Sequence, residues 1–388
     1  MRILHVIDYF HTDYGYQEYY LAKAQALEGH QVSVLTSSRR HSTVAVAADG
    51  GPGAAALRES GVSVLRLPSY QLGHDRAWLK GLTLSIMRFG PEIVHCHGAF
   101  SPTTLRVARA CARGHFALLV DNHSSEANSP GASVASVLYR AYEKTAGPFL
   151  RSTVGTWVAV GPGEAEFLTS RLRIDERDID LIQMGFDPEV FSFDADLRSR
   201  LRTRWGWSDD FVVVSTGKLT ALKRPQAVAA ACERSTRKNT RLVLAGSISP
   251  EMLGAVERAA PGLVRSERLA VWPMLSPGDL ADLFLAADSA LFVRPSISIF
   301  EGAGTGLEVF AGSDRYSDWL HTLNHRIIPV DVDTFDFGST VKSDRGSDAR
   351  KASDSLSWPV VSDIFVDRYR RIISSNTLRP SSWPGWSM

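Results

Sequence analysis

At 388 residues, 44% of them apolar, the chain is too long for one ordinary core and suits two domains of usual size. Its 43 basic and 42 acidic residues nearly cancel, which excludes a global field able to gather nucleic acid or an anionic membrane surface. Any anion site must therefore be local.

The opening run MRILHVIDYF carries His5 and Asp8, and no small-residue cleavage site follows it. It reads as a first strand, Arg2 to Ile7, rather than a leader. A helix over Gln17 to Glu28, stopped at Gly29, and a strand over Gln31 to Thr36 complete a βαβ opening. Strand patterns recur at Val62 to Leu67, Ile93 to Cys96, Ala117 to Asp121 and Trp157 to Val160. Helical patterns lie at Thr104 to Arg113, Val134 to Lys144 and Glu164 to Arg173. Apolar runs without alternation predict a parallel sheet covered on both faces. The polar stretch from Gly185 to about Ser199, with Pro188 and several aspartates, reads as a linker.

A second α/β unit then begins. Phe211 to Thr216, Arg241 to Leu244, Leu269 to Trp272 and a run ending at Val293 read as strands, and Gln226 to Glu233 as a helix. Ser276, Pro277 and Asp279 supply the cap, first-turn proline and acid of another helix, reaching about Ala287. Residues 338–357, poor in apolar side chains, predict a loop. Val360 to Ile373 predicts a last amphipathic helix, and 380–388 a loose tail. No window approaches eighteen uninterrupted apolar residues, so no transmembrane segment is expected, while peripheral membrane contact stays open. Cys96, Cys111 and Cys232, at unrelated spacings, suit a reducing compartment, which with the absence of a leader makes the cytoplasm the expected location.

Open parallel sheets bind ligands at the carboxyl ends of their strands. After the first strand, Asp13-Tyr14-Gly15-Tyr16-Gln17-Glu18 leads into a helix whose free amides suit an anion, although one glycine also serves a simple turn. The Ile93 strand ends in His95-Cys96-His97-Gly98, which puts both histidines on one face and Cys96 on the other. The spacing supplies no third ligand, so no metal is expected. The Ala117 strand ends in Asp121-Asn122-His123-Ser124. In the second half, Thr216-Gly217-Lys218-Leu219 is followed one turn later by Lys223-Arg224. A glycine and paired cations can hold a diphosphate; a solvated basic loop is the alternative. Glu301, within Ser296-Ile297-Ser298-Ile299-Phe300-Glu301-Gly302, can accept two hydroxyls or simply complement a helix start.

Taken in order, ILHVIDYF, GYQEYYLAKAQALEGHQVSVLTS, PEIVHCHG, DNHS, IQMGFDPEVF, GKLTALKRP and SISIFEGAGTGLEV resemble glycosyltransferase family 4, over most of the chain. The resemblance implies retaining enzymes of the GT-B architecture, an α/β fold of two Rossmann-like domains facing across a cleft. The corresponding division is 1–187 for the acceptor-binding domain, 188–357 for the nucleotide-sugar domain, 358–375 for a final helix crossing back, and 376–388 for a tail. By the same resemblance Lys218 and Lys223 match the basic pair on the donor diphosphate, and Glu301 the acid on the nucleotide ribose. His123 matches the histidine beside the transferred sugar, and Gly15 the N-terminal glycine loop. Gly217, Ser296, Ile297 and Ser298 are the further donor-binding expectations, and Tyr14, Tyr16 and His97 those for a small-molecule or glycan acceptor. The nucleotide-sugar is a co-substrate; no cofactor or nucleic-acid partner is expected.

Three positions depart from the family pattern. Tyr16 replaces a second glycine, Val293 stands where a first glutamate binds sugar hydroxyls, and Glu308 replaces a proline. Two further readings stay open: an inverting GT-B transferase or nucleotide-sugar epimerase using His97 or His123 as base, and a non-catalytic nucleotide- or partner-binding homologue.

Overall fold

The computed structural model describes residues 1–12, 16–39, 51–72, 76–126, 135–294, 296–339, 345 and 354–377. These form two compact units, one of Met1–Gln183 with the segment beginning at Val361, the other of Met184–Val360.

In the first unit the strands are β1 (Arg2–Val6), β2 (Gln31–Ser37), β3 (Ser63–Leu67), an antiparallel hairpin of β4 (Ser69–Leu72) and β5 (Arg76–Leu79), then β6 (Ile93–His97), β7 (Ala117–Asn122), β8 (Thr156–Ala159) and β9 (Ile179–Leu181). All but the hairpin join one parallel sheet in the order β3-β2-β1-β6-β7-β8-β9. The order reverses at β1, so the carboxyl ends of β1 and β6 border the crevice such sheets offer to ligands. The intervening helices are α1 (Gln17–Leu27), α2 (Pro52–Glu59), α3 (Leu82–Phe89), α4 (Pro102–Gly114), α5 (Ala135–Thr145), α6 (Gly147–Thr153) and α7 (Pro162–Leu172). Capping explains where they start: Ser101 accepts from the Thr103 amide and Pro102 occupies the first position of α4. Trp157, Phe167, Leu150 and Val107 centre an apolar core against the sheet. Both β6 and β7 are buried along their whole length, although they carry His95, His97, Asp121 and Asn122. Polar groups in such strands must find partners inside the protein.

The second unit opens with α8 (Ala195–Trp205), β10 (Phe211–Thr216), α9 (Pro225–Arg234), β11 (Thr240–Ala245), α10 (Pro250–Ala259), α11 (Pro261–Arg265) and β12 (Leu269–Trp272). It continues with α12 (Pro277–Ala286), β13 (Ser289–Phe292), α13 (Ile297–Gly304), β14 (Glu308–Gly312), α14 (Arg315–Leu323) and β15 (Ile327–Val330). Its parallel sheet runs β12-β11-β10-β13-β14-β15, again reversing at the first strand of the unit. Apolar clusters cover both sheet faces, around Phe284, Phe300 and Leu320 on one and Val213, Leu242 and Phe310 on the other. The last helix, α15 (Trp358–Thr377), belongs to the first unit from Val361 onward.

Several elements differ from the sequence expectation. The stretch read as a linker to Ser199 already contains α8, because Asp194 is a cap whose side chain accepts from the Leu197 amide. α13 starts at Ile297, so Glu301 is mid-helix and buried rather than a first-turn acid. The final helix reaches Thr377, beyond the expected Ile373 and into the expected tail. Within 338–357, only 338, 339, Arg345 and the last four positions are among the described residues, and residues 378–388 lie outside them.

Candidate functional site

Each unit gathers polar residues at the carboxyl edge of its sheet. In the first unit the gathering point is Asp121, at 0% exposure near the end of β7. Its Oδ2 accepts from His97 Nδ1 at 2.8 Å, His95 Nε2 at 3.1 Å and Gln17 Nε2 at 3.1 Å, and its Oδ1 accepts from the Gly98 amide at 3.2 Å. His123 Nε2 stands 3.4 Å from the same Oδ2, its side chain 40% exposed. Although burial alone raises a carboxyl, the surrounding imidazoles hold Asp121 well below its ordinary value. Burial pulls His123 down, but Asp121, with Glu18 and Glu164 adding, outweighs it and holds the imidazole above its ordinary value.

Behind this point the network continues into the core. His5 Nδ1 lies 3.0 Å from His97 Nε2, and His5 Nε2 lies 2.8 Å from Gln25 Oε1. Gln25 Nε2 reaches the Tyr369 hydroxyl of α15 at 3.2 Å, and that hydroxyl is 2.7 Å from His95 Nδ1. The His95 and His97 rings stack with centroids 4.2 Å apart, as expected of alternate strand residues on one face, while Cys96 points into the apolar core. Burial drives His5 well below its ordinary value and His95 to about 4. His5, His95 and His97, and likewise His97, Asp121 and His123, offer ligand atoms within 4.8 Å of one another. Those atoms face each other through hydrogen bonds, so the residues serve one another here.

Glu18, in the first turn of α1, is 8% exposed, and burial raises its carboxyl against the lowering influence of His97 and His123. Tyr16 occupies the N-cap position of the same helix and is 43% exposed. Tyr14 and Gly15 lie outside the described residues. An open cavity of about 620 Å³ lined by Thr12, Leu57, Arg58, Ser63 and Arg66 contains none of the expected site residues.

In the second unit β10 ends at Thr216 and the chain turns through Gly217 with φ +106°. A Cβ at Gly246 would collide with the Gly217 carbonyl oxygen, so two glycines permit the close passage of these loops. Lys218 is exposed and Lys223 half-buried; a Cβ at Gly217 would stand 3.3 Å from the Lys223 ammonium. Burial, with the charge of Lys218 adding, holds Lys223 below its ordinary value. Neither lysine has an acidic partner among the described residues, whereas Arg224 pairs with Asp333 at 2.6 Å.

The helix α13 that follows β13 brings Ser296, Ile297, Ser298 and Glu301 together. Burial pushes the Glu301 carboxyl up to about 7, against a hydrogen bond from Ser298. Thr216 Oγ1, Ser296 Oγ and Glu301 Oε2 are buried with no hydrogen-bond partner among the described residues. Buried polar atoms in folded proteins are rarely left so. The arrangement combines uncompensated cations with hydroxyl and carboxylate groups awaiting partners.

The sequence reading passed over His5, Gln17, Gln25, Asp121 as a hub, and Tyr369. The signal for His5 was its presence in an otherwise apolar strand; Gln25 and Tyr369 give none, since helical polar residues usually face solvent.

Residues 18–190 match the family model described as Glycosyltransferase Family 4. Over that stretch, just under half of the chain, the sequence is similar to glycosyltransferase family 4. Among solved structures, a glycosyltransferase from Rickettsia africae ESF-5 is 14% identical, with a TM-score of 0.69 over 96% of this chain and 98% of that one. Anabaena HepE, solved with UDP and glucose, is 13% identical with a TM-score of 0.65, over 95% of this chain and 99% of that one. Sucrose-phosphate synthase from Thermosynechococcus elongatus is 15% identical with a TM-score of 0.64, over 97% and 100%. At such identities the likeness establishes the fold: two Rossmann-like α/β domains of the GT-B class. No curated protein sequence matches the chain. Among the described residues of this glycosyltransferase, no helix is long and apolar enough to cross a membrane.

Proposed function

We propose that the enzyme moves a sugar from a nucleotide-diphosphate-sugar to a hydroxyl of a small-molecule or glycan acceptor, with the anomeric configuration retained. The observation that carries this reading is the pair of cations at Gly217, neither with an acidic partner among the described residues, in the same unit as the unpartnered buried atoms of Thr216, Ser296 and Glu301. Relatives of the same fold support it: HepE is described with UDP-glucose, and starch synthase IV from Arabidopsis thaliana with ADP and acarbose.

In this reading Lys218 and Lys223 neutralise the donor diphosphate, with Gly217 letting the backbone approach it. Glu301 accepts from the ribose hydroxyls, and Ser296, Ile297 and Ser298 present the first-turn amides and hydroxyls of α13. His123 lies beside the transferred sugar, and Gly15, Tyr14, Tyr16 and His97 belong to the acceptor side of the first unit. The bond from the anomeric carbon to the phosphate oxygen breaks as the acceptor oxygen bonds to that carbon on the same face. The acceptor proton passes to the departing diphosphate. Positioning and cationic stabilisation of that leaving group then supply catalysis. Because the lysines take the charge a metal would otherwise offset, activity is expected to survive EDTA; loss in EDTA restored by magnesium would reject this part. We place the reaction in the cytoplasm, in keeping with three buried unpaired thiols.

The deciding experiment screens UDP-, ADP- and GDP-sugars by thermal shift and assays transfer with those that stabilise the protein. Product anomeric configuration is then read by NMR. Retention is expected; an inverted product would hand the base role to His97 or His123, and no turnover of any donor would favour a binding homologue.

A further inference from the structure

Six side chains of the first unit close a ring of hydrogen bonds: Asp121 to His95, His95 to Tyr369, Tyr369 to Gln25, Gln25 to His5, His5 to His97, and His97 back to Asp121. Each of the six contacts lies between 2.7 and 3.2 Å. Every member is buried, the most exposed being His97 at 8%.

A closed ring of six hydrogen bonds needs six protons, one per bond. The carboxylate contributes none, the tyrosine hydroxyl one, the glutamine amide one within the ring, and each neutral imidazole one. These amount to five. The count does not depend on which way the Gln25 amide is turned. With its oxygen toward His5, the order of donors leads to both nitrogens of His97 being protonated; with the amide reversed, it leads to both nitrogens of His95. In either case the doubly protonated ring rests on Asp121.

We infer that this ring holds one proton beyond those of its neutral side chains, as an imidazolium against Asp121, and that the ring makes Asp121 a positioning residue for His123. The second part rests on the reading of His123 as the group beside the transferred sugar. Asp121 Oδ2 is fixed from within the core by two histidines and Gln17, which leaves it directed at His123, outside the ring at 3.4 Å. The imidazole of His123 is thereby oriented and its proton held more firmly than in water; Glu18 from α1 and Glu164 from α7 add to the same pull. Tyr369 gives the final helix a place in the device, since its hydroxyl closes the ring.

Nitrogen NMR of the protein labelled at its eleven histidines reads the proton count without any substrate. At pH 8.5, where exposed imidazoles are neutral, one histidine is expected to show both nitrogens protonated, and two others to be single tautomers locked in slow exchange. In Y369F the ring is open, four bonds remain, and four donors suffice, so the doubly protonated signal is expected to vanish. Three singly protonated ring histidines in the native protein, or an imidazolium that persists in Y369F, would overturn the count. For the positioning role, D121N is expected to lower kcat about a hundredfold with donor KM little changed. The alkaline limb of its pH profile should move to lower pH, as His123 loses the charge that holds its proton. Unchanged kcat and profile in D121N, with K223A inactive in the same assay, would overturn that role while leaving the transferase reading intact.

Discussion

The Lys223 ammonium lies over the Cα of Gly217, where an added Cβ would stand 3.3 Å from the nitrogen, and Gly217 itself has φ +106°. Both facts make position 217 intolerant of a side chain. G217A would force a backbone conformation that L residues avoid, at about 1–2 kcal/mol, and would press on the ammonium proposed to hold the donor phosphate. Turnover is expected to fall about tenfold to a hundredfold with a modest loss of stability. Steady-state kinetics and thermal melting of G217A measure the two effects separately, and a wild-type rate would show that the loop does not approach the donor.

In the proposed reading the two lysines act on the same charge, so their removal should not add. K218A and K223A are each expected to lose two to three powers of ten in turnover, as for a donor of oxyanion-hole strength, and the double variant little more than the worse single one. Near-wild-type rates in both would reject the assignment. The pH dependence carries a sign. Burial and Lys218 hold Lys223 below its ordinary value, so the free enzyme loses its cation at lower pH than a solvated lysine would. Neutralising position 218 removes one of those influences. The alkaline limb of residual activity in K218Q should therefore lie above that of the native enzyme.

Glu301 sets function against stability. Its carboxyl is raised from an ordinary 4.5 to about 7 by burial, so between those values the folded state binds a proton that the unfolded state has lost. The contribution to stability is thus full below the unfolded value and is lost as pH rises through the folded one. At about 1.4 kcal/mol per pH unit, the ionised carboxylate costs the free enzyme roughly 3 kcal/mol. E301Q is expected to be more stable than the native chain at pH 8 and similar at pH 4, with donor KM raised at least tenfold. Melting curves at the two pH values decide the first part, and a bound nucleoside diphosphate should narrow the difference by stabilising only the native protein.

What could be read in the sequence and what could not follows a physical line. Strands such as Phe211–Thr216 and turn glycines such as Gly217 are local features, and composition and punctuation reveal them. The position of the lysines after β10 was legible for the same reason, since a strand end and a following glycine are local signals. The Asp121 ring was not. It joins positions 5, 25, 95, 97, 121 and 369, which only the parallel order β1-β6-β7 and the return of α15 bring together. Asp194 shows the opposite failure: a cap residue in a polar stretch resembles a linker until its partner amide is known. For Glu301 the sequence left open whether it opens a helix, because the Ser296 start could not be distinguished from a later one; the structure puts it inside α13.

Asp288 offers the test of how independently the second unit holds together. Its oxygens receive Arg198 at 2.6 Å and Arg202 at 2.9 Å, and the Val212 amide at 2.9 Å, which ties α8 to the sheet. Arg345 donates to the Leu285 and Ala287 carbonyls nearby, the same ones that Arg198 contacts. Among the described residues, Asp288 is the acid on which Arg198 and Arg202 rest, with the Arg345 guanidinium beside Arg198 on the shared carbonyls. D288A leaves them without it, and breaking a buried pair by removing one member costs about 3–5 kcal/mol. The second unit should then melt before the first, splitting one transition into two. The histidine nitrogen signals of the Asp121 ring report on the first unit alone and should survive the earlier transition. If they broaden together with it, the two units unfold as one cooperative body and the loss at Asp288 is felt throughout the chain.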